Sequence, residues 1–204
     1  MNVSPLSAFG GIGALPPRQA GTLPAVVPTS PASLESPITV ITDGACSGNG
    51  REDSRGGWAA ILVDSCGEEL VLTGAEAPST NNRMELMGAL EGLAAAPEAS
   101  RICLVTDSTY LANAISKGWL AGWKRKGWIT SAKQPVANRD LWERMLRELA
   151  RHAEVRTEVV KGHAGHPANE RADRLAQQAA RDHAPAPGPL SPPPRTPDQF
   201  SLFD

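Results

Sequence analysis

Four acidic residues lie next to apolar stretches of the sequence, where an unpaired carboxylate is rarely buried. Asp43 and Asp107 each follow an apolar run typical of a strand, and Glu85 and Asp173 lie among apolar residues of helix-like segments. Carboxylates gathered in one place repel one another, and a divalent cation removes that cost. Oxygen ligands of this kind suit Mg²⁺ or Mn²⁺ better than zinc. The four residues therefore permit a metal site, although an Asp after a strand is more often a turn former or a helix cap.

Other metal and redox chemistry has less support in the sequence. His163 and His166 could bind zinc, but two histidines without cysteine partners are a weak signal. The three cysteines, Cys46, Cys66 and Cys103, form no CxxC pair, which argues against a disulfide framework and against a four-cysteine zinc site. We therefore expect a reducing, cytoplasmic setting.

The elements that must position the carboxylates alternate between strand and helix patterns. The strand predictions are residues 38–42, 58–63, 69–72, 102–106 and 155–160. The main helix predictions are residues 80–95, 138–151 and 167–182. Thr80 or Asn81 is the candidate N-cap of the first of these, and Ser108 is the expected cap of a further helix. This order predicts an α/β fold with a mixed sheet. If the first and fourth strands are central and parallel, Asp43 and Asp107 lie at one edge, where ligand sites of such sheets gather.

Proline placement separates a central domain from two tails. Of the 18 prolines, seven lie in residues 1–37 and seven in residues 184–204. We predict a disordered arm over 1–36, a folded domain over 37–183, a stiff Pro-rich linker over 184–198 and a terminal peptide over 199–204. The sequence has no run of about 20 apolar residues, so we expect no membrane span. No basic region precedes an apolar run, so we expect no signal peptide.

Four strings in the central domain carry a specific resemblance. They are Thr42-Asp43-Gly44-Ala45-Cys46, Thr80-Asn81-Asn82-Arg83-Met84-Glu85-Leu86, Thr106-Asp107-Ser108 and the segment from Val160 to Asp173. In this order and at these spacings, they make residues 38–183 resemble the type 1 (bacterial) ribonuclease H family. The resemblance implies a five-stranded mixed sheet with helices on both faces. It also implies a catalytic domain that hydrolyses the RNA strand of RNA–DNA hybrids.

The same resemblance implies the roles of the acidic residues. Asp43, Glu85, Asp107 and Asp173 match the family's metal-binding carboxylates, and His163 matches the histidine of its mobile catalytic loop. Two Mg²⁺ ions about 4 Å apart can activate a water and stabilise the leaving 3′-oxygen, and Mn²⁺ can replace them. We assign Asp43 to both ions because of its central strand, Glu85 and Asp107 to one ion, and Asp173 to the other. The products would be a 5′-phosphate and a 3′-hydroxyl, and the expected role is removal of primers and R-loops in DNA replication.

A basic segment rich in tryptophan lies between residues 115 and 151, where there are nine basic and three acidic residues. Trp123 and the run Lys124-Arg125-Lys126 suit a groove that follows phosphates and packs on sugars. Alternatively, the tryptophans pack a small helical subdomain and the charges are solvated. We expect Trp128 and Trp142 mostly in the core, and Trp123 with the charged run at the surface. In the family, this segment is the basic protrusion that grips the DNA strand.

Further candidates for contact with the hybrid are small polar residues. Thr80, Asn81 and Asn82 open a predicted helix, where backbone N–H groups make a natural phosphate pocket. Selectivity for RNA depends on 2′-hydroxyl contacts in a wide minor groove, and Asn49, Asn81 and Asn82 are the candidates for these. The loop 48–57 is three residues longer and more charged than is usual in the family, which leaves its role open.

The terminal peptide resembles the short peptide by which bacterial replication proteins bind the sliding clamp. Leu202 and Phe203 would fill an apolar cleft and Gln199 would hydrogen-bond at its rim, whereas Phe200 departs from the more usual Leu. A tail that folds back onto the domain is the alternative.

Two other functions on the same fold stay open at this stage. One is a non-catalytic hybrid-binding or adaptor module, which the presence of all four carboxylates disfavours. The other is a transposase or integrase core, which the basic tryptophan segment and the His163 loop disfavour.

Overall fold

The computed structural model describes residues 37–162 and 166–182. Its strands are β1 (Ile38–Ser47), β2 (Arg55–Val63), β3 (Glu69–Glu76), β4 (Arg101–Thr106) and β5 (Glu154–Val159). Its helices are α1 (Asn81–Ala95), α2 (Thr109–Ser116), α3 (Trp119–Arg125), α4 (Arg139–Arg151) and α5 (Pro167–Asp182). The predicted arm 1–36, His163, the linker 184–198 and the terminal peptide 199–204 lie outside the described residues. Each helix in the described ranges is too short or too polar to cross a bilayer.

The strands form a mixed sheet in the order β3-β2-β1-β4-β5. The β1–β2 and β2–β3 pairs are antiparallel, whereas the β1–β4 and β4–β5 pairs are parallel. The predicted five-stranded mixed sheet is therefore confirmed, with β1 at its centre beside a parallel β4. This arrangement brings Asp43 and Asp107 to the same edge.

The central strands send alternate side chains to opposite faces of the sheet. Val40 and Leu104 are fully buried in the larger core, which α1, α2, α3 and α4 cover. Ile41 and Val105, the next residue in each strand, pack in a smaller core against Ala172 of α5. Helices on both faces thus hold the central strands in place, as the resemblance implied.

The prediction that the first strand ends at Asp43 was wrong, because β1 continues for four more residues, to position 47. The continuation pairs with the start of β2, where Gly56 and Gly57 are strand residues and not part of a loop. The parallel pairing of β1 with β4 nevertheless stops at Ile41 and Val105. Asp43 therefore lies in mid-strand, at the point where the two parallel strands separate.

Two glycines let helices come into backbone contact with the sheet. An added Cβ on Gly44 would lie 2.3 Å from the backbone nitrogen of Glu85, so α1 approaches β1 this closely only because Gly44 has no side chain. An added Cβ on Gly57 would lie 2.2 Å from the carbonyl oxygen of Ala176 and 2.4 Å from the nitrogen of Ala180. These contacts fix the distance from both helices to the central strands.

Candidate active site

The four predicted carboxylates line one cleft of about 610 Å³. Asp43 comes from β1, Glu85 from α1, Asp107 from the residue that follows β4, and Asp173 from α5. Residues far apart in the sequence therefore meet at the edge where β1 and β4 separate. The other residues that line this cleft are Gly44, Ala45, Cys46, Ser47, Arg55, Asn81, Gln177, Ala180 and Arg181.

Asp43 is the most buried of these four carboxylates, with only 7% of its surface exposed. Its Oδ1 accepts the Gly44 backbone N–H at 2.7 Å, and the Asn169 side-chain amide lies 3.5 Å from Oδ2. Burial is the largest of the causes that together raise the pKa of Asp43 to about 7; the nearby Asp107, Asp173 and Glu85 add to it, and the Gly44 N–H lowers it. The charged form of this group is therefore costly unless a cation is bound beside it.

Glu85 is held by two hydrogen-bond donors. The Asn81 side-chain amide donates to Oε1 at 2.9 Å, and the Ser108 hydroxyl donates to Oε2. Ser108 also caps α2 by accepting the backbone N–H of Leu111 at 3.4 Å. Burial raises the pKa of Glu85, as does Asp107, while the bonds from Ser108 and Asn81 lower it. The two donors fix the orientation of the carboxylate and partly offset its burial.

Asp107 and Asp173 complete the acidic group from opposite sides of the cleft. An added Cβ on Gly162 would lie 2.6 Å from Oδ2 of Asp107, so the segment that leads to His163 begins against this carboxylate. The Gln177 side-chain amide, one turn along α5, lies 2.9 and 3.0 Å from the two oxygens of Asp173. Each carboxylate thus has a neighbour that limits how it can turn.

The donor set suits a hard divalent cation. It consists of carboxylate oxygens, and the burial and mutual repulsion that raise the pKa of Asp43 are the costs that a bound cation would remove. Within 37–162 and 166–182, no three His, Cys, Asp or Glu side chains are arranged as a closed metal-binding group.

His166, which the sequence offered as a weak zinc candidate, forms a hydrogen bond within the protein. Its Nδ1 atom accepts the Asn169 backbone N–H at 3.3 Å, at the start of α5.

Three predicted hybrid contacts also hold the protein itself together. The Thr80 hydroxyl caps α1 by accepting the Arg83 N–H at 3.3 Å, as its sequence position predicts. The Asn49 side-chain oxygen accepts the Asn81 N–H at 2.9 Å, which ties the loop after β1 to the helix start. Asn82 is exposed. Its side chain is therefore accessible to the hybrid.

The basic tryptophan segment is part core and part surface. Trp128 and Trp142 are buried, as predicted. Trp123, expected at the surface, is half-buried, because its ring packs 5.6 Å from Trp142 and 6.1 Å from Tyr110. The run Lys124-Arg125-Lys126 is exposed, as predicted, and forms no ion pair within the described ranges.

Several polar residues in the cleft or beside its carboxylates were not predicted from the sequence. The roles of Ser108 and Asn169 as neighbours of carboxylates depend on contacts between distant elements, so nothing in the local sequence indicates them. Gln177 could have been found, since it lies four residues after Asp173 and therefore on the same side of a helix. Arg55 and Arg181 also line the cleft, and neither belongs to the four motif strings.

Comparisons with known proteins agree with this architecture. The sequence profile of the ribonuclease H (RNase H) family matches residues 35–181. The chain is 50% identical over 163 residues to a Ribonuclease H of Thermus thermophilus, which covers 80% of this chain and 93% of the relative. It is 52% identical over 141 residues to Ribonuclease H of Dinoroseobacter shibae, over 67% of this chain and 87% of the relative. A similar solved structure is the crystal structure of LC9-RNase H1, a type 1 RNase H with the type 2 active-site motif. It superposes on this chain with a TM-score of 0.63 and is 30% identical in sequence. The match covers 72% of this chain and 73% of that chain.

Proposed function

Because this chain belongs to the ribonuclease H family, we infer that it is an endonuclease that hydrolyses the RNA strand of RNA–DNA hybrids. We propose that this hydrolysis uses two divalent cations, which are held by Asp43, Glu85, Asp107 and Asp173. The observation that carries the proposal is the convergence of these four carboxylates on one cleft. The raised pKa of Asp43 supports it, because this carboxylate gains most from a neighbouring positive charge.

The protein's own groups have distinct tasks in this proposal. Bound Mg²⁺ or Mn²⁺ supplies Lewis acidity for activating a water and for neutralising charge on the phosphate and the leaving 3′-oxygen. Asp43, buried in mid-strand, would help to hold both ions. Glu85, which Asn81 and Ser108 orient, would hold one ion with Asp107. Asp173, which Gln177 orients, would hold the other. The products are a 5′-phosphate and a 3′-hydroxyl.

We assign His163 a role in moving a proton or in helping the product leave. The residue lies outside the described ranges, so this role is supported by the sequence motif and by the position of Gly162 against Asp107. His163 is not needed as a metal ligand in this scheme, since the carboxylates already supply the oxygen ligands.

The DNA strand of the hybrid is held, in this proposal, by the basic tryptophan segment. The run Lys124-Arg125-Lys126 supplies exposed positive charge at the end of α3. Trp123 contributes by shaping the surface under the run, because its ring packs against the rings of Tyr110, Trp119 and Trp142. Thr80, Asn81, Asn82 and Asn49 lie at the start of α1 and in the loop bonded to it, where they can contact both strands.

The decisive variant is Asp43→Asn, which is nearly isosteric and should leave the fold intact. We expect it to abolish cleavage of a labelled RNA–DNA hybrid in Mg²⁺ while binding of the hybrid survives. Single-stranded RNA and duplex DNA serve as substrate controls, each with and without Mg²⁺. Asp53→Asn, in an exposed loop position, is the matched control and should cleave like the wild type. An Asp43→Asn rate above about a tenth of the wild-type rate, roughly 1.4 kcal/mol in barrier height, would show that the assignment is wrong.

The cellular role is a further part of the proposal. We propose that the enzyme removes RNA primers and R-loops during DNA replication in the cytoplasm. The cysteines Cys46, Cys66 and Cys103 are free thiols, which suits a reducing compartment. The terminal peptide would bring the enzyme to the sliding clamp, on the strength of its sequence resemblance alone.

A further inference from the structure

Two arginines outside the motif strings stand at one end of the active-site cleft. Arg55 begins β2 and Arg181 lies in the last turn of α5, and both line the cavity that the four carboxylates line. They come from elements on different walls of the cleft. Their shared position therefore needs an explanation beyond ordinary surface charge.

The register of the sheet brings Arg55 into line with Asp43. The residues of β1 that face α5 pair across to β2, with Asp43 opposite Ala59 and Ser47 opposite Arg55. Successive residues on one face of a strand are two apart. Arg55 thus points to the same face as Asp43, about 13 Å further along β1 at roughly 3.3 Å for each residue.

The opposite wall repeats this arrangement on a helix. Asp173, Gln177 and Arg181 lie at spacing four along α5, so they follow one another on nearly the same side, over about 12 Å. Gly57, two residues after Arg55, is in backbone contact with Ala180. The last turn of α5 therefore lies on the start of β2, so Arg55 and Arg181 line the cleft from neighbouring backbone segments.

Among the residues that the structure describes, neither of these arginines has its charge neutralised by an ion pair. Eight arginines of the described ranges form ion pairs, whereas Arg55 and Arg181 form none, as is also true of Arg125, Arg147 and Arg174, which do not line the cleft. Arg181 donates a hydrogen bond to the neutral Gln178 side chain at 3.0 Å. A planar guanidinium is the side chain best suited to bind a phosphate through two parallel hydrogen bonds.

We propose that Arg55 and Arg181 together hold one backbone phosphate of the RNA strand, a few nucleotides from the phosphate that is cut. The inference rests on the proposed function in taking the four carboxylates as the cleavage centre. A strand whose scissile phosphate lies at Asp43 and Asp173 continues along the cleft between β1 and α5, and these arginines stand at its end. The RNA strand is favoured because the basic segment assigned to DNA packs on the other face of the sheet.

The first test measures hybrid binding and not cleavage. In an Asp43→Asn background, Arg55→Gln/Arg181→Gln is expected to weaken hybrid binding roughly 10-fold, the effect of a lost charged hydrogen bond. The log–log salt slope should fall by about 0.9, the value for one phosphate contact. Each single variant should cause most of this loss, because the two residues share one phosphate. Arg101→Gln/Arg156→Gln removes two charges at Glu154, near the sheet's far edge, and should bind like its parent.

The second test assigns the strand. A single uncharged methylphosphonate linkage is moved along the RNA strand, and separately along the DNA strand, of a fixed hybrid. One RNA linkage should weaken binding to the protein that retains both arginines and leave binding to the double variant unchanged, which is the signature of direct coupling. Coupling to a DNA linkage instead, or no coupling at any position, would overturn the proposal. An unchanged salt slope in the double variant would overturn it as well.

Failure of this inference is distinguishable from failure of the proposed function. The binding experiments use no divalent cation, so their outcome does not depend on how many ions take part in cleavage. In the otherwise wild-type enzyme, the double variant should raise KM and leave kcat almost unchanged, because the arginines hold substrate away from the reacting atoms. Equal melting temperatures of the variant and the wild type would confirm that the fold is intact.

Discussion

The charge on Asp43 is opposed by its own burial and by three neighbouring carboxylates, and the Gly44 N–H offsets only part of this cost. A pKa of about 7 means that the acidic group holds a proton near neutral pH when no divalent cation is bound. Because the groups interact, that proton belongs to the cluster as much as to one residue. Loading with a cation must therefore release a proton, and the apparent affinity for Mg²⁺ should rise with pH.

The raised pKa of Asp43 predicts a pH-dependent stability of the metal-free protein. A carboxyl with a higher pKa in the folded state binds more protons when folded, so its contribution to stability falls as pH rises toward the folded value. In EDTA, Asp43→Asn should therefore gain stability relative to the wild type as pH rises from about 4 to about 7, by up to about 4 kcal/mol, and the gap should level off above that pH. Calorimetric melting of both proteins at constant ionic strength measures this, and other titrating groups such as His152 cancel in the difference. A gap that stays constant with pH would contradict the raised pKa.

The Ser108 hydroxyl links the acidic group to the start of α2. Ser108→Ala is expected to lower kcat/KM by about 10- to 100-fold and to raise the Mg²⁺ concentration for half-maximal rate, because Glu85 loses a donor that fixes its orientation. The lost helix cap should cost about 1 kcal/mol of stability. Ser108→Thr keeps the hydroxyl and should restore both properties, and Thr109→Ala, at the exposed next position, should change neither. A normal Mg²⁺ dependence in Ser108→Ala would rule out this positioning role.

At the level of elements, the sequence predicted which strands and helices form better than where they end. The run 102–106 is continuously apolar because a central strand is buried on both faces, and Thr80 and Ser108 are recognisable as caps. The extension of β1 was missed because Asp43-Gly44 is a common turn signal. Gly44 instead serves the close contact with α1, a demand of tertiary packing that one sequence does not show.

The contact at Gly44 gives a prediction for the relation of α1 to β1. Gly44→Ala is expected to cost ~2–4 kcal/mol of stability, since the methyl group would overlap the backbone at Met84 and Glu85. Cleavage should fall more than about 10-fold, because a shifted α1 carries Glu85 away from Asp43. Urea unfolding and cleavage in Mg²⁺ measure the two effects.

The matched control for this change is Gly122→Ala in α3, where an added Cβ meets nothing within 4 Å. Gly122→Ala should be neutral or stabilising, since Ala is the better helix former. If Gly44→Ala were as stable and active as the wild type, α1 would be free to adjust, and the close contact would not set the geometry of the site.

At the scale of the whole molecule, the carboxylates come from four elements that span positions 43 to 173 of the chain. The two cores lie on opposite faces of the sheet, and helices on both faces contribute to the one cleft. Local sequence motifs identified the acidic residues. Their proximity in space depends on the order of the strands and on the packing of the helices, which the local sequence does not show. The same holds for Trp123, which is covered by Tyr110 and Trp142 from two other helices.

The terminal peptide gives a prediction for the full chain that is independent of the cleft. A peptide of residues 190–204 should bind a bacterial sliding clamp, and changing both Leu202 and Phe203 to Ala should abolish binding by removing the apolar side chains that enter the clamp. The same double change in the whole protein should leave cleavage of a free hybrid unaltered. Calorimetric titration of the two peptides is the measurement. No binding by the native peptide, or equal binding by both, would contradict the clamp assignment.

The close contact of α5 with Gly57 has a consequence for the time at which the enzyme becomes active. Helix α5 is the last element of the described domain to leave the ribosome, and it brings Asp173 and the cover of the smaller core. A nascent chain that lacks α5 has three of the four carboxylates and an open sheet face, so it has no complete centre for cutting RNA. With the four carboxylates as the proposed cleavage centre, we therefore expect no hydrolysis of RNA by the nascent chain before α5 has packed against the sheet.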